Sequence, residues 1–513
     1  MKTSRLILVQ GANPESGLDG SPNFDDNLQR NTPREALFWS AADRIGLQLV
    51  QLILSIVMAR ILMPSDYGLV GMITLFLGVA DLFVNGGFSA VFVQRQTLEP
   101  DHIVSVFYLN VAVGVLMALG LLAIAPLVAE FYRQPILVPL TCAMGVCTLI
   151  GSFGVVPSGM LYRAMDLRRL AWINFTVAPV SGVVGVAMAI GGFGVWSLVG
   201  QRFVATSLGT VLYWWHSRLR LRGRFHWNAL QEILPFSLRI LGAAISGSVS
   251  DNLCNVAIGR FFRPADVGFY TRAFSLARLP MEALEMIFGR VFFPMLSRVQ
   301  DDPVHFKRKS RSYLQAGAIA MVPMMALLAA AASPIVICLL TAKWLPCVPY
   351  LQLFSLAAVF WLWQRAHTNI LLAKGLGSLL VRVEIAKRLL QILVLVGTVW
   401  LGMLAVVCGQ VAVAMVGFVL HAGYAHRVIR YTVGEQCRDL LPVCLIGAVV
   451  TMASWGAGKV VMLGSDWVRL LIELAAGIGV YAAAVYLGRN GWAAIVVEEV
   501  RRQKSRIRGM NRL

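Results

Sequence analysis

The chain has 513 residues, of which 58% are hydrophobic and 14% are charged, and its mean hydropathy is +0.71. A soluble globular domain is about 45–50% apolar and about one quarter charged, so this composition excludes one. The net charge is +19, but Lys and Arg lie mainly in short connections between apolar stretches. That distribution is typical of the positive-inside rule and argues against a nucleic-acid-binding surface.

Apolar stretches of about 20 residues or more recur from residue 36 onward, and each can cross a hydrocarbon core of about 30 Å as a helix. The sequence therefore predicts an all-α polytopic membrane protein with about fourteen transmembrane helices. In chain order these lie near residues 37–62, 67–94, 102–129, 136–161, 170–190, 193–215, 230–260, 267–296, 311–340, 348–373, 378–401, 403–426, 439–461 and 467–487. The short gaps at 190–193 and 401–403 leave room only for tight turns.

Lysine and arginine are concentrated in one set of alternate connections and in the C-terminal run "RRQKSRIRGMNRL". The positive-inside rule places that side in the cytoplasm, and an even number of spans then places both termini there. The predicted organisation is a disordered cytoplasmic tail (1–35), an N-lobe of six helices (36–217), a cytoplasmic linker (218–229), a C-lobe of six helices (230–430), two further helices (431–488) and a basic cytoplasmic tail (489–513).

A ten-residue motif occurs twice, as "ARILMPSDYG" at 59–68 and as "GRFFRPADVG" at 259–268. Six predicted helices separate the copies, so both face the same side of the membrane and the two lobes are parallel repeats around a central cavity. Transporters built this way bind their substrate near the midplane, between the halves. Within each copy, Pro ends one helix, Asp caps the next and Gly allows a close turn.

Arg60 and Arg260 precede the two prolines, at the edge of an apolar span. A cation there is costly unless it extends to the headgroup region or is paired. Two interpretations stay open, an arginine that reaches the interface and an arginine that faces the cavity and holds an anionic headgroup.

The chain resembles the Wzx-type oligosaccharide flippases, a polysaccharide-transport branch of the superfamily that also holds multidrug exporters and the peptidoglycan lipid flippase. The resemblance rests on the two motif copies and on the pieces "RAMDLRRLAW" (163–172), "GGFGVWSLVGQ" (191–201), "FFPMLSRVQDD" (292–302) and "LLAKGLGSLL" (371–380). It implies alternating-access transfer of undecaprenyl-diphosphate-linked repeat units to the outer leaflet of a bacterial cytoplasmic membrane, for exopolysaccharide or lipopolysaccharide synthesis. A polymerase or co-polymerase and membrane lipids are the further partners that it implies.

Such a substrate requires cations for the diphosphate and amide or carboxylate groups for sugar hydroxyls, and intramembrane polar residues are the candidates. The candidate diphosphate cations are Arg60, Arg202, Arg260, Arg290 and Arg365. The candidates for sugar binding or ion coupling are Asp81, Asn85, Asp251, Asn252, Glu282, Glu285, His367 and Asn369. Internal pairing that fixes helix packing is the alternative for each. His367 is the only histidine that the pattern places deep in the membrane, and no cofactor, metal or nucleic acid is expected.

Two other classes are weighed. A membrane polymerase or glycosyltransferase would be expected to carry a sizeable external loop or a cytoplasmic catalytic domain, and the sequence leaves room for neither, so we expect no enzyme. An ion-coupled drug exporter would share the fold. The cationic set of intramembrane residues suits an anionic lipid better than a cationic drug.

Overall fold

A computed structural model describes residues 33–85, 99–221, 223–460 and 465–487. The predicted tails lie outside these residues, except for 33–35. Within the described ranges the chain forms α-helices and short 3-10 turns and no strands. The helices are α1 (Pro33–Ile61), α2 (Pro64–Asn85), α3 (Pro100–Tyr132), α4 (Leu137–Arg163), α5 (Leu167–Ile190), α6 (Trp196–Ser217), α7 (Trp227–Phe261), α8 (Pro264–Ser297), α9 (Pro303–Ala330), α10 (Ala332–Leu340), α11 (Val348–Ala373), α12 (Gly377–Thr398), α13 (Met403–Ile429), α14 (Val433–Val460) and α15 (Asp466–Leu487).

Each copy of the repeated motif begins a helix, because proline suits the first helical position and the aspartate two residues later caps the turn. Pro64 opens α2 and Pro264 opens α8. The Asp66 carboxylate accepts a hydrogen bond from the backbone N–H of Met63 at 2.9 Å, and Asp266 makes the equivalent bond at 3.1 Å. The aspartate of the motif therefore caps a helix as the sequence predicts, whereas the proline, expected to end a helix, begins the next one.

The glycines of the motif do not form turns, contrary to expectation. Gly68 lies in α2 and Gly268 in α8, where the two helices cross. A Cβ atom at Gly68 would overlap the carbonyl oxygen of Pro264, and one at Gly268 would overlap that of Pro64. The two copies thus pack directly on each other, and glycine permits the backbones to approach. We call this end of the bundle the motif end and the opposite end the basic end.

Helix ends elsewhere follow local chemistry. Asp302 caps α9 by accepting the backbone N–H bonds of Val304 and His305 at 3.0 Å. The backbone bond from His305, with the bond from its imidazole, lowers the pKa of the Asp302 carboxyl from its ordinary value. The tight turns expected at 190–193 and 401–403 form with positive φ at Gly192 (79°) and Gly402 (104°).

The predicted helix at 311–340 has the wrong start and is not continuous. The structure begins α9 at Pro303 and breaks the segment at Ala331, so that the nine-residue α10 continues it. In the described ranges, nine helices are long and apolar enough to cross a membrane by length and composition. The count of fourteen spans and the domain boundaries stay predictions.

Two large apolar cores hold the bundle together. The first joins the lobes near the motif end and includes Met72, Tyr132, Val267 and Phe354. The second lies mainly in the predicted C-lobe, extends to Leu440 and Val443 of α14, and includes aromatic residues such as Phe306 and Phe418. Helices α14 and α15 pack as a pair against α9, where the Tyr481 hydroxyl donates to the carbonyl of Ile319 at 2.7 Å.

Candidate functional site

A cavity of about 1040 Å³ lies between the lobes, below the crossing of α2 and α8. It follows α2 from Tyr67 to Asp81, about 20 Å at the helical rise. Helices α1, α2, α5 and α6 line it on one side and α7 and α8 on the other. Its polar lining residues are Gln51, Ser55, Thr74, Asp81, Asn174, Ser181, Gln201, Arg202, Ser248, Asn252, Asn255, Thr271, Arg272, Ser275 and Arg278.

Two of the predicted candidates, Arg202 and Asp81, form an ion pair in the cavity wall. The Arg202 guanidinium on α6 lies 2.5 Å from the Asp81 carboxylate on α2. The other Asp81 oxygen accepts the Thr148 hydroxyl at 3.2 Å, and the Asn85 amide donates to the Asp81 carbonyl at 2.7 Å. The Arg202 Nε is buried and has no hydrogen-bond partner among the described residues. The pair joins two N-lobe helices, yet Arg202 keeps donor capacity beside the cavity.

Arg272 was not among the predicted candidates, because it lies close to the motif and was interpreted as part of a connection between helices. In the structure it stands in the third turn of α8, and its side chain is 9% exposed. Its guanidinium donates to the Ser55 hydroxyl of α1 at 2.5 Å and lies 4.4 Å from the ring centre of Tyr67. Its Nε has no hydrogen-bond partner in the part of the chain that the structure describes. The predicted helix at 267–296 already contained this cation, and that position within an apolar helix could have identified Arg272 as a candidate.

Arg278 was also absent from the predicted candidates, and it is the ion-pair partner of the candidate Glu282. The Arg278 Nε lies 2.6 Å from the Glu282 carboxylate one turn further along α8, and its guanidinium lies over Phe274. Arg278 lines the cavity, whereas Glu282 is not among the lining residues. Asn252 also lines the cavity, and its amide donates to the Ser248 carbonyl at 3.0 Å.

The remaining described candidates lie away from the cavity. Arg365 on α11 pairs with Glu285 on α8 at 3.0 Å. His367 is fully buried, with Nδ1 2.7 Å from the Trp363 carbonyl and Nε2 2.9 Å from the Gln436 amide oxygen.

Asn369 donates to the Tyr313 hydroxyl at 2.8 Å, and the Arg260 guanidinium lies 5.5 Å from the ring centre of Phe131. The side chains of Asp251 and Arg290 lie outside the described part of the chain. Internal pairing, the alternative interpretation, thus describes the Glu285–Arg365 contact and the surroundings of Asn369.

Arg60 takes part in an interlobe clasp at the motif end, formed with Lys343 and Trp344. Its guanidinium donates to the carbonyls of Cys338 and Leu339, the last turn of α10. In return, Lys343 donates to the Arg60 carbonyl at 2.7 Å and the Trp344 indole to that of Ala59 at 2.8 Å. A cation at a helix C-terminus satisfies orphan carbonyls and complements the helix dipole. Arg60 is exposed and is absent from the cavity lining.

These features define a membrane transport protein with two repeated helical lobes around a polar cavity. The chain belongs to the family of polysaccharide biosynthesis proteins, which matches residues 57–349.

Curated relatives carry related names. The chain is 26% identical to the succinoglycan biosynthesis transport protein ExoT of Rhizobium meliloti (strain 1021), over 62% of this chain and 65% of that protein. It is 22% identical to the teichuronic acid biosynthesis protein TuaB of Bacillus subtilis (strain 168), over 79% and 84%. It is 24% identical to the lipopolysaccharide biosynthesis protein WzxC of Escherichia coli (strain K12), over 74% and 78%.

Solved structures share the fold. The lipid II flippase MurJ in an inward closed conformation matches with a TM-score of 0.71 at 11% identity, over 88% of this chain and 99% of that one. An inward-facing multidrug resistance transporter of the MATE family matches with a TM-score of 0.58 at 15% identity, over 78% and 99%. The expectation of an all-α fold of this kind is confirmed.

Proposed function

We propose that the protein transfers undecaprenyl-diphosphate-linked oligosaccharide repeat units from the inner to the outer leaflet of a bacterial cytoplasmic membrane by alternating access. The observation that carries this proposal is the interlobe cavity, which combines arginines with amide and hydroxyl groups. The names of the curated relatives and of the MurJ structure support it.

The cavity suits an anionic headgroup because its cations are not all neutralised. Asp81 pairs with Arg202 and Glu282 pairs with Arg278, whereas no ion pair among the described residues includes Arg272. Among the described residues, Arg272 donates hydrogen bonds to the uncharged Ser55 and lies over the rings of Tyr67 and Trp344. A diphosphate would displace the neutral Ser55 hydroxyl from Arg272, because a hydrogen bond between two oppositely charged groups adds a Coulomb attraction that a hydroxyl cannot supply. It would also contact the Arg202 guanidinium, which lines the cavity.

The size and polarity of the cavity suit several sugars. Typical small-molecule pockets occupy about 300–1,000 Å³, and this cavity of about 1040 Å³ lies just above that range. Gln51, Asn174, Gln201 and Asn255 offer amides to hydroxyl groups. The polyprenyl tail would remain in the lipid while the headgroup crosses between the lobes.

Orientation follows from charge. With the basic end in the cytoplasm, both termini are cytoplasmic and the closed motif end faces outward. The described conformation then accepts substrate from the inner leaflet, and release outside requires the lobes to separate at the motif end. A polymerase or co-polymerase at the outer face would consume the product.

Complementation of a deletion strain tests this function. Cells lacking the protein and any redundant flippase should lose a surface or secreted polysaccharide and accumulate lipid-linked repeat units, and the wild-type gene should restore export. Arg272→Ala should fail to restore it at normal protein abundance, whereas Arg382→Ala, exposed on α12, should restore it. Normal polysaccharide in the deletion strain would refute the proposal. Resistance to cationic drugs conferred by the gene, without an effect on polysaccharide, would favour the drug exporter instead.

A further inference from the structure

A second charged cluster lies inside the C-lobe, separate from the cavity. The Glu384 carboxylate on α12 faces three nitrogen groups. One of its oxygens lies 3.5 Å from the Lys387 ammonium and 3.9 Å from the Arg388 Nε. The other oxygen lies 3.4 Å from the Nε2 of His421 on α13. His421 is fully buried, which the sequence analysis missed when it placed only His367 deep in the membrane.

The hydrogen bonds of His421 define what its second nitrogen can do. Its Nδ1 lies 2.8 Å from the Gly417 carbonyl oxygen, which can only accept, so Nδ1 carries a hydrogen. In a neutral ring, Nε2 then presents a lone pair to a carboxylate oxygen, and these two acceptors repel. The 3.4 Å separation and the absence of a hydrogen-bond partner for Nε2 among the described residues fit this unprotonated arrangement. A proton on Nε2 converts the repulsion into a charge-assisted hydrogen bond.

Protonation would redistribute the charges around Glu384. A carboxylate drawn to His421 moves away from Lys387 and Arg388, which share its other oxygen. Lys387 also interacts electrostatically with Arg365 on α11. His367, on the same helix as Arg365, interacts electrostatically with His421.

Arg365 connects this cluster to the cavity helix. It pairs with Glu285 on α8, the helix that also carries Arg272 and crosses α2 at the motif end. A Lys387 that loses its counter-charge repels Arg365 and therefore weakens the tie between α11 and α8. The interactions that run from Glu384 through Lys387 and Arg365 to Glu285 thus supply a physical connection between α12 and α8.

We propose that His421 and Glu384 form a proton-binding site whose occupancy opens the motif end. One proton is taken up on the His421 Nε2, the Glu384 carboxylate accepts its hydrogen bond, and the ion pairs to Lys387 and Arg388 are released. The role of this site in transport rests on the proposed function, but proton-dependent opening does not.

Distance measurement by spin labelling tests the site without any transported substrate. Labels on Ile190→Cys and Leu401→Cys, exposed residues at the motif end of the two lobes, report the separation in a full-length protein without native cysteines, reconstituted in lipid nanodiscs. From roughly pH 8 to pH 5, the range in which histidine charges, the closed population should fall about tenfold relative to the open one.

The variants are chosen so that the site itself is tested. His421→Gln and Glu384→Gln should each abolish the pH response, whereas His305→Gln, at an exposed histidine on α9, should keep it. A response unchanged in His421→Gln, a wild-type protein insensitive to pH, or a response that follows sodium concentration at fixed pH would each overturn the proposal. Failed polysaccharide complementation with an intact pH response would count against the proposed function alone.

Discussion

Removal of the Arg60 side chain should open the motif end, because that side chain spans the two lobes. Arg60→Ala deletes two hydrogen bonds to the carbonyls of Cys338 and Leu339 and the favourable interaction with the C-terminus of α10. Arg60 is exposed, so each bond is assigned about 0.5 kcal/mol and the helix dipole about 0.5–1 kcal/mol. The sum of about 1.5–2 kcal/mol corresponds to a roughly 10- to 30-fold fall in the ratio of closed to open protein.

The spin-label pair at residues 190 and 401 measures this ratio directly. Arg60→Lys should give an intermediate value, because lysine keeps the charge but cannot form both bonds. Arg382→Ala serves as the matched control. Export should fall in Arg60→Ala at unchanged protein abundance, because a protein held open at the motif end accepts less substrate from inside. A closed population within threefold of wild type, together with normal export, would show that Arg60 only reaches the headgroups.

Three further predictions concern packing, pairing and capping. Gly68→Ala places a Cβ against the Pro264 carbonyl and should abolish the closed state in the same distance measurement, whereas Gly423→Ala, where a Cβ meets open space, should not. Asp81→Ala should lower export by leaving Arg202 unpaired, and the exchange Asp81→Arg with Arg202→Asp should recover part of it; no recovery would mean that the pair has another role. Asp302→Ala should lower the melting temperature through loss of the α9 cap. Because the pKa of Asp302 is lowered in the folded protein, the stability that its cap contributes is present above the unfolded pKa and is lost as pH falls through the folded pKa. A difference in melting temperature between wild type and variant that persists in acid would contradict this role.

Most of the fold could be predicted from hydropathy and local chemistry. Apolar stretches located the helices, and Asp66 was predicted as a cap because a capping carboxylate acts within one turn, although α2 begins at Pro64 and not near residue 67 as predicted. Gly68 was misread, because a glycine that permits a helix crossing and a glycine that permits a turn look alike in sequence. Only the partner carbonyl of Pro264, 196 residues further along the chain, distinguishes them.

The candidate site was predictable only in part, because the sequence shows which polar residues lie in apolar helices but not which way their side chains face. Arg202 and Asp81 were predicted from their depth in apolar helices, and the structure places both in the cavity wall. Arg60 was predicted at the edge of an apolar span, where a cavity-facing side chain was one of two interpretations, and its side chain extends to the end of α10. Arg272 was overlooked because proximity to the motif was taken to mean a connection, although α8 had already begun eight residues earlier.

The leaflet distribution of lipid-linked repeat units tests the central claim most directly. In deletion-strain spheroplasts, radiolabelled undecaprenyl-diphosphate oligosaccharide would be treated with a membrane-impermeant oxidant that reaches only the outer leaflet. We expect the labelled lipid to be protected from the oxidant in the deletion strain and with Arg272→Ala, and to become accessible to it with the wild-type protein. Equal accessibility with and without the wild-type protein would contradict it.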